Sequence, residues 1–185
     1  MTINDSPRQE QDICKSCGFC CDGTLFVRAS LMKGEKGKLP EKIEKNHFWH
    51  KKEEKFKLPC EYFHEKCTIY SQKKAIICSA YRCQLLNNFS SGKLSKKEAS
   101  NIIINAKKMR KEISDSYRKI TGKESEIPFR SILLDIIDEY KMTSSGSNAN
   151  KDLVILNARC KIFESLLIKH FKSEENFQEM FAKKN

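Results

Sequence analysis

The 185-residue sequence has few of the residues that build nucleotide-binding loops, and it has no long apolar run. Its seven glycines form neither a P-loop nor the Gly-x-Gly-x-x-Gly turn of a dinucleotide-binding fold. No segment approaches the roughly 20 apolar residues that a membrane-spanning helix needs. Residues 1–11 are polar and lack the apolar stretch of a secretory signal. We therefore expect a cytoplasmic protein with no membrane partner.

Acidic residues are fewer than basic ones, 24 against 35, which gives a formal net charge of +11. Such a charge serves solubility, or it marks a surface for nucleic acid or an acidic protein partner. Trp49 beside Phe48, amid Lys45, Lys51 and Lys52, could stack on a base while the lysines contact phosphates. Single aromatic residues in charged segments more often pack against their own domain. A basic RNA- or protein-interaction module is therefore the third-ranked function.

Cysteine is the residue that this sequence has in excess. In a reducing cytoplasm structural disulfides are rare, so a cysteine-rich segment usually binds metal. Of nine cysteines, only Cys160 follows residue 84, and it falls on an apolar helical stripe where we expect a buried, inert thiol. The eight predicted metal ligands are Cys14, Cys17, Cys20, Cys21, Cys60, Cys67, Cys78 and Cys83.

The first four cysteines form the motif C-K-S-C-G-F-C-C over residues 14–21. A two-residue gap lets both thiolates of a C-x-x-C turn face one ion, and Gly18 relieves the tight backbone there. The spacing is similar to the start of the bacterial ferredoxin motif, but the fourth ferredoxin cysteine, followed by proline, is absent. Neighbouring side chains of an extended backbone point to opposite faces. Cys20 and Cys21 therefore need not serve the same centre.

The second four cysteines are separated by gaps of six, ten and four residues, which suits ligands gathered from several loops. Soft thiolates bind zinc, copper(I) and iron–sulfur clusters alike, so the sequence leaves zinc and an iron–sulfur cluster both open. Eight cysteines supply two four-thiolate sites, or one cluster plus one metal. His47, His50 and His64 are weaker candidates, because imidazole is an ordinary zinc ligand.

Taken together, the motif C-x-x-C-x-x-C-C, Pro59-Cys60, the segment Cys-Thr-Ile-Tyr at 67–70 and a final Cys83 resemble the YkgJ-like cysteine-cluster family. These proteins are described as zinc- or iron-chelating, and the family is related to flagellin lysine N-methylase. The resemblance covers residues 14–86. It implies metal or cluster binding by the cysteines, and it says nothing about the helical half.

The chain departs from the family pattern at Lys74-Ala75, where the family commonly has Arg-Pro, and at Ser79, where it often has Arg. The cysteines are unaffected. The relationship to the methylase leaves a cluster-dependent enzyme that modifies protein lysines as the second-ranked function. However, the C-x-x-x-C-x-x-C spacing of radical enzymes that use S-adenosylmethionine is absent, so we favour a metal-binding protein over an enzyme.

Beyond residue 90 the sequence shows helical periodicity. Ser95 and Glu98 form a capping box before an apolar stripe that stops at Gly122. A second helix is expected to begin about Pro128, where proline suits the first helical turn. The sequence also predicts a third helix over residues 153–171, a polar loop over 143–150 and a short fourth helix around 177–181.

The predicted fold is therefore mainly α, with an irregular, metal-nucleated N-terminal module over residues 1–90, for which a small α+β arrangement is the alternative. Residues 91–185 form a helical region of three to four helices packed on it. Residues 24–29 favour a short strand, and residues 33–57, rich in Lys and Glu, favour a solvated loop or exposed helix. Because small segments poor in apolar residues bury too little surface, we expect the module to need its metal to fold.

Overall fold

A computed structural model of the chain describes residues 7–123, 127–143 and 151–172. Within these ranges it contains seven helices and five short strands. The helices are α1 Arg8–Cys17, α2 Glu41–Lys45, α3 Ile76–Ala80, α4 Gln84–Ser90, α5 Lys96–Thr121, α6 Phe129–Thr143 and α7 Lys151–His170. The strands are β1 Arg28–Ser30, β2 His47–His50, β3 Glu53–Lys57, β4 Phe63–His64 and β5 Lys66–Cys67. The fold is mainly α with a small antiparallel component, as the sequence predicts.

Helix α5 begins and ends where its sequence signals predict. The side chain of Ser95 accepts a hydrogen bond from the backbone N–H of Glu98 at 3.2 Å, and the Glu98 carboxylate accepts one from the Ser95 N–H at 2.7 Å. Gly122 ends the helix in the left-handed region, at φ 68°. The capping box and the glycine stop are therefore both confirmed.

Helices α6 and α7 confirm the second and third predicted helices. Helix α6 begins directly after Pro128, and the rings of Phe129 and Phe163 join it to α7 at 4.7 Å between centroids. Cys160 is fully buried on α7, as expected. Residues 144–150 of the predicted loop and the predicted helix at 177–181 lie outside the described residues. None of the described helices combines the length and apolar character that crossing a membrane requires.

The larger hydrophobic core contains residues from both sides of position 90. From the N-terminal side, Phe19 contacts the rings of Phe163 and Phe171 edge-on, with centroids at 6.3 and 5.2 Å. Leu85 and Leu86 of α4 belong to the same buried cluster. The helical region is therefore packed directly on the cysteine-bearing segments, and whether residues 1–90 can fold apart from it stays a prediction.

The prediction for residues 33–57 is wrong, because this segment contains α2 and the strands β2 and β3. The sheet has the order β1-β3-β2 and is antiparallel, with Ala29 opposite Phe56 and Trp49 opposite Glu54. Only Phe56 is fully buried in these two strands, so the sequence lacks the alternation that reveals a strand. The strand expected over 24–29 forms later, at Arg28–Ser30.

A second, smaller core lies beside the sheet. Its buried members are Leu31, Ile43, Phe56, Ile69 and Ala75.

Candidate metal centre

All eight predicted cysteines line two adjoining cavities. The larger cavity, of about 250 Å³, is lined by Cys14, Cys20, Cys21, Cys60, Cys67 and Cys78. The smaller cavity, of about 50 Å³, is lined by Cys14, Cys17, Cys20, Cys21 and Cys83. The fold thus brings together thiols that are up to 69 residues apart in the chain.

The first four cysteines lie at the end of α1 and in the turn that follows it. Cys14 and Cys17 occupy the last helical turn, so the predicted C-x-x-C turn is the end of a helix. Gly18 then reverses the chain at φ 76°, and a Cβ at this position would lie 2.3 Å from the ring of Phe63. The Cys21 N–H donates to the Gly18 carbonyl at 2.8 Å and closes the turn. Only glycine fits this corner.

The remaining four cysteines come from separate short elements. Cys60 is joined to the first segment by its N–H, which donates to the Cys21 carbonyl at 2.8 Å. Cys67 lies on β5 and Cys78 on α3, while Cys83 precedes α4. The wide gaps in the sequence thus place these four cysteines on separate elements, and their role as ligands stays a prediction.

A buried carboxylate positions the helix that carries Cys78. Glu35 is 8% exposed and accepts hydrogen bonds from the backbone N–H of Ile76 at 2.7 Å and of Met32 at 2.6 Å. The first bond satisfies an N–H at the start of α3. Sequence reasoning missed Glu35, because one Glu in a Lys- and Glu-rich segment carries no distinguishing signal.

Two further buried carboxylates attach the cysteine segments to their neighbours. Glu10 on α1 accepts from Arg82 at 2.6 Å and from Ser90 at 2.9 Å, so the residue before Cys83 is tied to the helix of Cys14. Asp22, directly after Cys21, accepts from the Thr24 N–H at 2.8 Å and forms an ion pair with Arg110 of α5. These contacts fix the cysteine positions from outside.

Burial and mutual proximity keep the thiols neutral. Burial and, to a smaller extent, neighbouring cysteines raise the pKa of Cys14 to about 11 and that of Cys78 to about 12. Burial likewise raises the pKa values of Cys17, Cys20, Cys21, Cys60 and Cys83. At pH 7 only a cation could hold these side chains as thiolates, and its binding would release protons.

The same electrostatic effects divide the thiols into two groups. After burial, the nearness of Cys83 is the largest effect that raises the pKa values of Cys14, Cys17 and Cys20. For Cys21 the corresponding neighbours are Cys78 and then Cys67. The cavities agree with this division, since Cys17 and Cys83 line only the smaller one, and Cys60, Cys67 and Cys78 only the larger one. We therefore assign the thiols to an early group of Cys14, Cys17, Cys20 and Cys83 and a late group of Cys21, Cys60, Cys67 and Cys78. Cys83, one of the second four cysteines in the sequence, thus belongs to the early group, and Cys21, one of the first four, belongs to the late group.

Backbone N–H groups that follow Cys17, Cys60 and Cys83 favour the charged form of these three thiols. Burial raises the pKa of all three, but hydrogen bonds from the backbones of Phe19, Tyr62 and Leu86 act in the opposite direction. A hydrogen bond to the charged form of a side chain favours that form. Amides directed at sulfur are the outer contacts that a metal-bound thiolate uses, so these three cysteines fit a metal site.

The hydroxyl of Tyr70 also fits a thiolate site. It is buried without a hydrogen-bond partner among the described residues. Burial raises its pKa, and the next causes are the nearby Cys14 and Cys67. Such orphaned groups are rare in folded proteins, and a thiolate would provide the acceptor that it lacks.

The thiols do not form a closed ligand shell. All nine cysteines, each within the described ranges, are free. Among the residues that the structure describes, no three His, Cys, Asp or Glu side chains lie close enough together to hold a metal ion. The arrangement is that of neutral thiols gathered around two cavities. The sulfur donor set suits zinc or an iron–sulfur cluster.

The histidines and Cys160 are placed away from the two cavities. His47 Nε2 lies 3.7 Å from Glu54, His50 is on the sheet and His64 is exposed on β4. None of these described histidines lines either cavity. Cys160 belongs to the larger hydrophobic core, where burial raises its pKa to about 12.

Comparison with family models, with curated proteins and with solved structures finds no match to this chain. The resemblance to the YkgJ-like cysteine-cluster family therefore rests on the motifs of residues 14–86 alone. Any role for the thiols must be argued from their chemistry and placement.

Proposed function

We propose that this protein binds metal through the two groups of cysteines, as two four-thiolate centres or as one iron–sulfur cluster and one metal. The observation that carries the proposal is the convergence of eight thiols from separate elements on two adjoining cavities. Chance burial of cysteines in a core does not bring them all to one place with amides directed at three sulfurs. To bind a metal, the sulfur atoms of each group would have to move closer together as the thiols lose their protons.

Each group supplies four sulfur atoms, the number that a closed structural zinc site or a cubane cluster uses. The early centre would join α1 to Cys83 before α4, and the late centre would join Cys21 to the segments of Cys60, Cys67 and Cys78. Free thiols persist in reducing compartments. The proposed location is therefore the cytoplasm.

The nature of the metal is tested by anaerobic purification followed by metal and sulfide analysis. Brown protein with labile sulfide supports a cluster, and colourless protein with zinc supports zinc centres. Protein that contains neither metal nor sulfide, and that takes up none on reconstitution, contradicts the proposed function.

The division into groups is tested by serine variants of Cys17, Cys20 and Cys21. We expect Cys20→Ser and Cys21→Ser each to lose one centre, since the two residues belong to different groups. The double variant of Cys17 and Cys20 should still lose only one centre, while the double variant of Cys20 and Cys21 should lose both. Cys160→Ala is the control and should keep the full metal content. Equal losses from the two double variants would contradict the grouping.

A cluster-dependent enzyme resembling lysine N-methylase is the second candidate. The larger cavity favours it, because its wall extends from the thiols to Ile43 and Phe56, further than a closed ion site requires. Calorimetric measurement of S-adenosylmethionine binding to the metal-loaded protein tests this candidate. Absence of binding would leave the metal-binding proposal standing and remove this one.

An interaction module is the third candidate. Trp49 is 63% exposed, with its ring edge-on to His47 at 6.3 Å between centroids, so most of its surface is available for stacking. It precedes the hairpin turn of Lys51 and Lys52, whose φ angles are 50° and 65°. A loss of affinity for single-stranded RNA in Trp49→Ala would support this candidate, and equal weak binding by both proteins would contradict it.

A further inference from the structure

Tyr70 is the buried polar group that the fold leaves without a partner next to the thiols. Its hydroxyl is shielded from solvent, and none of the described residues accepts its hydrogen. It lines the larger cavity together with Cys14, Cys21 and Cys67. A neutral thiol is a weak acceptor, whereas a metal-bound thiolate carries negative charge and accepts hydrogen bonds well.

Two lysines hold the Tyr70 ring in place. Lys74 Nζ lies 3.9 Å from the ring centroid and donates to the Tyr70 carbonyl at 2.7 Å. Lys15, which lies beside Cys14 on α1, places its Nζ 5.0 Å from the same centroid. Cations placed over an aromatic ring are attracted to its face and so fix its orientation. The hydroxyl is therefore held in one direction.

We propose that Tyr70 donates a hydrogen bond to a metal-bound thiolate sulfur of Cys14 or Cys67, and that it thereby sets the stability and electronic properties of the centre. This inference rests on the proposed metal-binding function. Tyr70 is a positioning and tuning residue, since it would act on the metal only through a sulfur atom. A donor to sulfur lowers the charge that sulfur gives to the metal and slows its protonation and release.

The test compares Tyr70→Phe with Tyr117→Phe. Both substitutions remove one buried phenolic oxygen, but the Tyr117 hydroxyl already has protein partners in the helical region, Asp135 and the Lys123 Nζ at 2.7 Å. The proteins are loaded anaerobically with cobalt(II), whose sulfur-to-metal charge-transfer band reports the electron density on sulfur. Metal content, band position, and release to a chelator are measured on the full chain.

We expect all proteins to bind the same amount of cobalt. In Tyr70→Phe the charge-transfer band should move to lower energy and metal release should be about 10-fold faster, the lower end of the effect of outer contacts. Tyr117→Phe should leave both unchanged. If Tyr70→Phe has the native band and release rate, the inference is wrong although metal binding stands. If the native protein binds no cobalt, the proposed function itself fails.

Thermal unfolding separates this role from ordinary packing. Without metal, Tyr70→Phe should be at least as stable as the native protein, because the substitution removes an unsatisfied buried group. With metal it should be less stable. Tyr117→Phe should lower the stability of both forms, since it breaks hydrogen bonds that need no metal. A loss of stability of the same size in both forms of Tyr70→Phe would overturn the inference.

Discussion

The helical region and the sheet region of this chain are held together in different ways. Among the described residues, the larger core has twenty buried members around α5, whereas the core beside the sheet has five. Buried carboxylates add polar contacts: Glu35 holds α3 beside the smaller core, while Glu10 and Asp22 attach the cysteine segments to Arg82 and to Arg110 of α5. Apolar burial suffices to specify the first region, while the second needs polar contacts and, on our proposal, metal.

Metal removal is the strongest way to break this comparison. Structural zinc contributes roughly 10–16 kcal/mol of apparent binding free energy in small modules. This is comparable to the roughly 7–15 kcal/mol that burial of five large apolar side chains provides. Strong chelation under reducing conditions should abolish the chemical-shift dispersion of residues around the sheet. The helical circular-dichroism signal should largely persist. An apo-protein spectrum with unchanged dispersion would contradict the prediction.

The pH dependence of the metal-free protein should also separate the regions. The ordinary pKa of these thiols is 9.0, and in the folded protein burial raises it to about 11 for Cys14 and about 12 for Cys78. Between these values the unfolded chain binds fewer protons than the folded one, so the free energy of unfolding should fall as the pH rises above 9. Because several thiols with raised pKa values contribute, no single cysteine substitution should abolish this fall in the free energy of unfolding.

The measurement is chemical denaturation of reduced, metal-free protein at a series of pH values. Cys160→Ala is the control, since it removes a raised thiol pKa that belongs to neither cysteine group. It should keep most of the slope. If the free energy of unfolding of Cys160→Ala no longer depends on pH above 9, the effect comes from the helical region and the prediction is wrong. Metal-loaded protein should behave in the opposite sense and lose metal as the pH falls, because protons compete for the sulfurs.

The sequence predicts the helical region better than the sheet region for the same physical reason. Capping residues and a stripe of apolar side chains are local signals, so Ser95, Gly122 and the burial of Cys160 could be predicted. The strand β3, Glu53–Lys57, has one buried side chain and no such signal. The grouping of Cys21 with the late cysteines depends on contacts such as the Cys60–Cys21 backbone bond, which no local pattern reveals.

Glycine substitution tests the corner that joins α1 to the thiol turn. Gly18→Ala forces an alanine backbone into the left-handed region, and its new methyl group also meets the Phe63 ring. We therefore expect the free energy of unfolding to fall by about 2–5 kcal/mol. Gly122→Ala is the matched control. It has a similar φ of 68° but nothing within 4 Å, so it should lose only about 1–2 kcal/mol. Equal losses measured by denaturant unfolding would contradict the close packing at Gly18.

The smallest expected effect concerns the carboxylate that positions Cys78. In Glu35 both oxygens are used, one by the Ile76 N–H and the other by the Met32 N–H. Gln has only one acceptor oxygen, so Glu35→Gln leaves one backbone N–H without its acceptor and should cost about 1–3 kcal/mol. It should also speed hydrogen exchange in α3 and weaken metal binding by the late cysteine group.

Glu98→Gln is the control for this substitution, since a single oxygen of Glu98 accepts both the Ser95 N–H and the Ser95 hydroxyl. Gln keeps that oxygen and is itself found in capping boxes, so the variant should remain close to native in stability and metal content. If Glu35→Gln and Glu98→Gln behave alike, the carboxylate does not position α3. The sheet region would then owe its order to its five apolar residues and the thiols alone, and the contrast between the two regions would be sharper still.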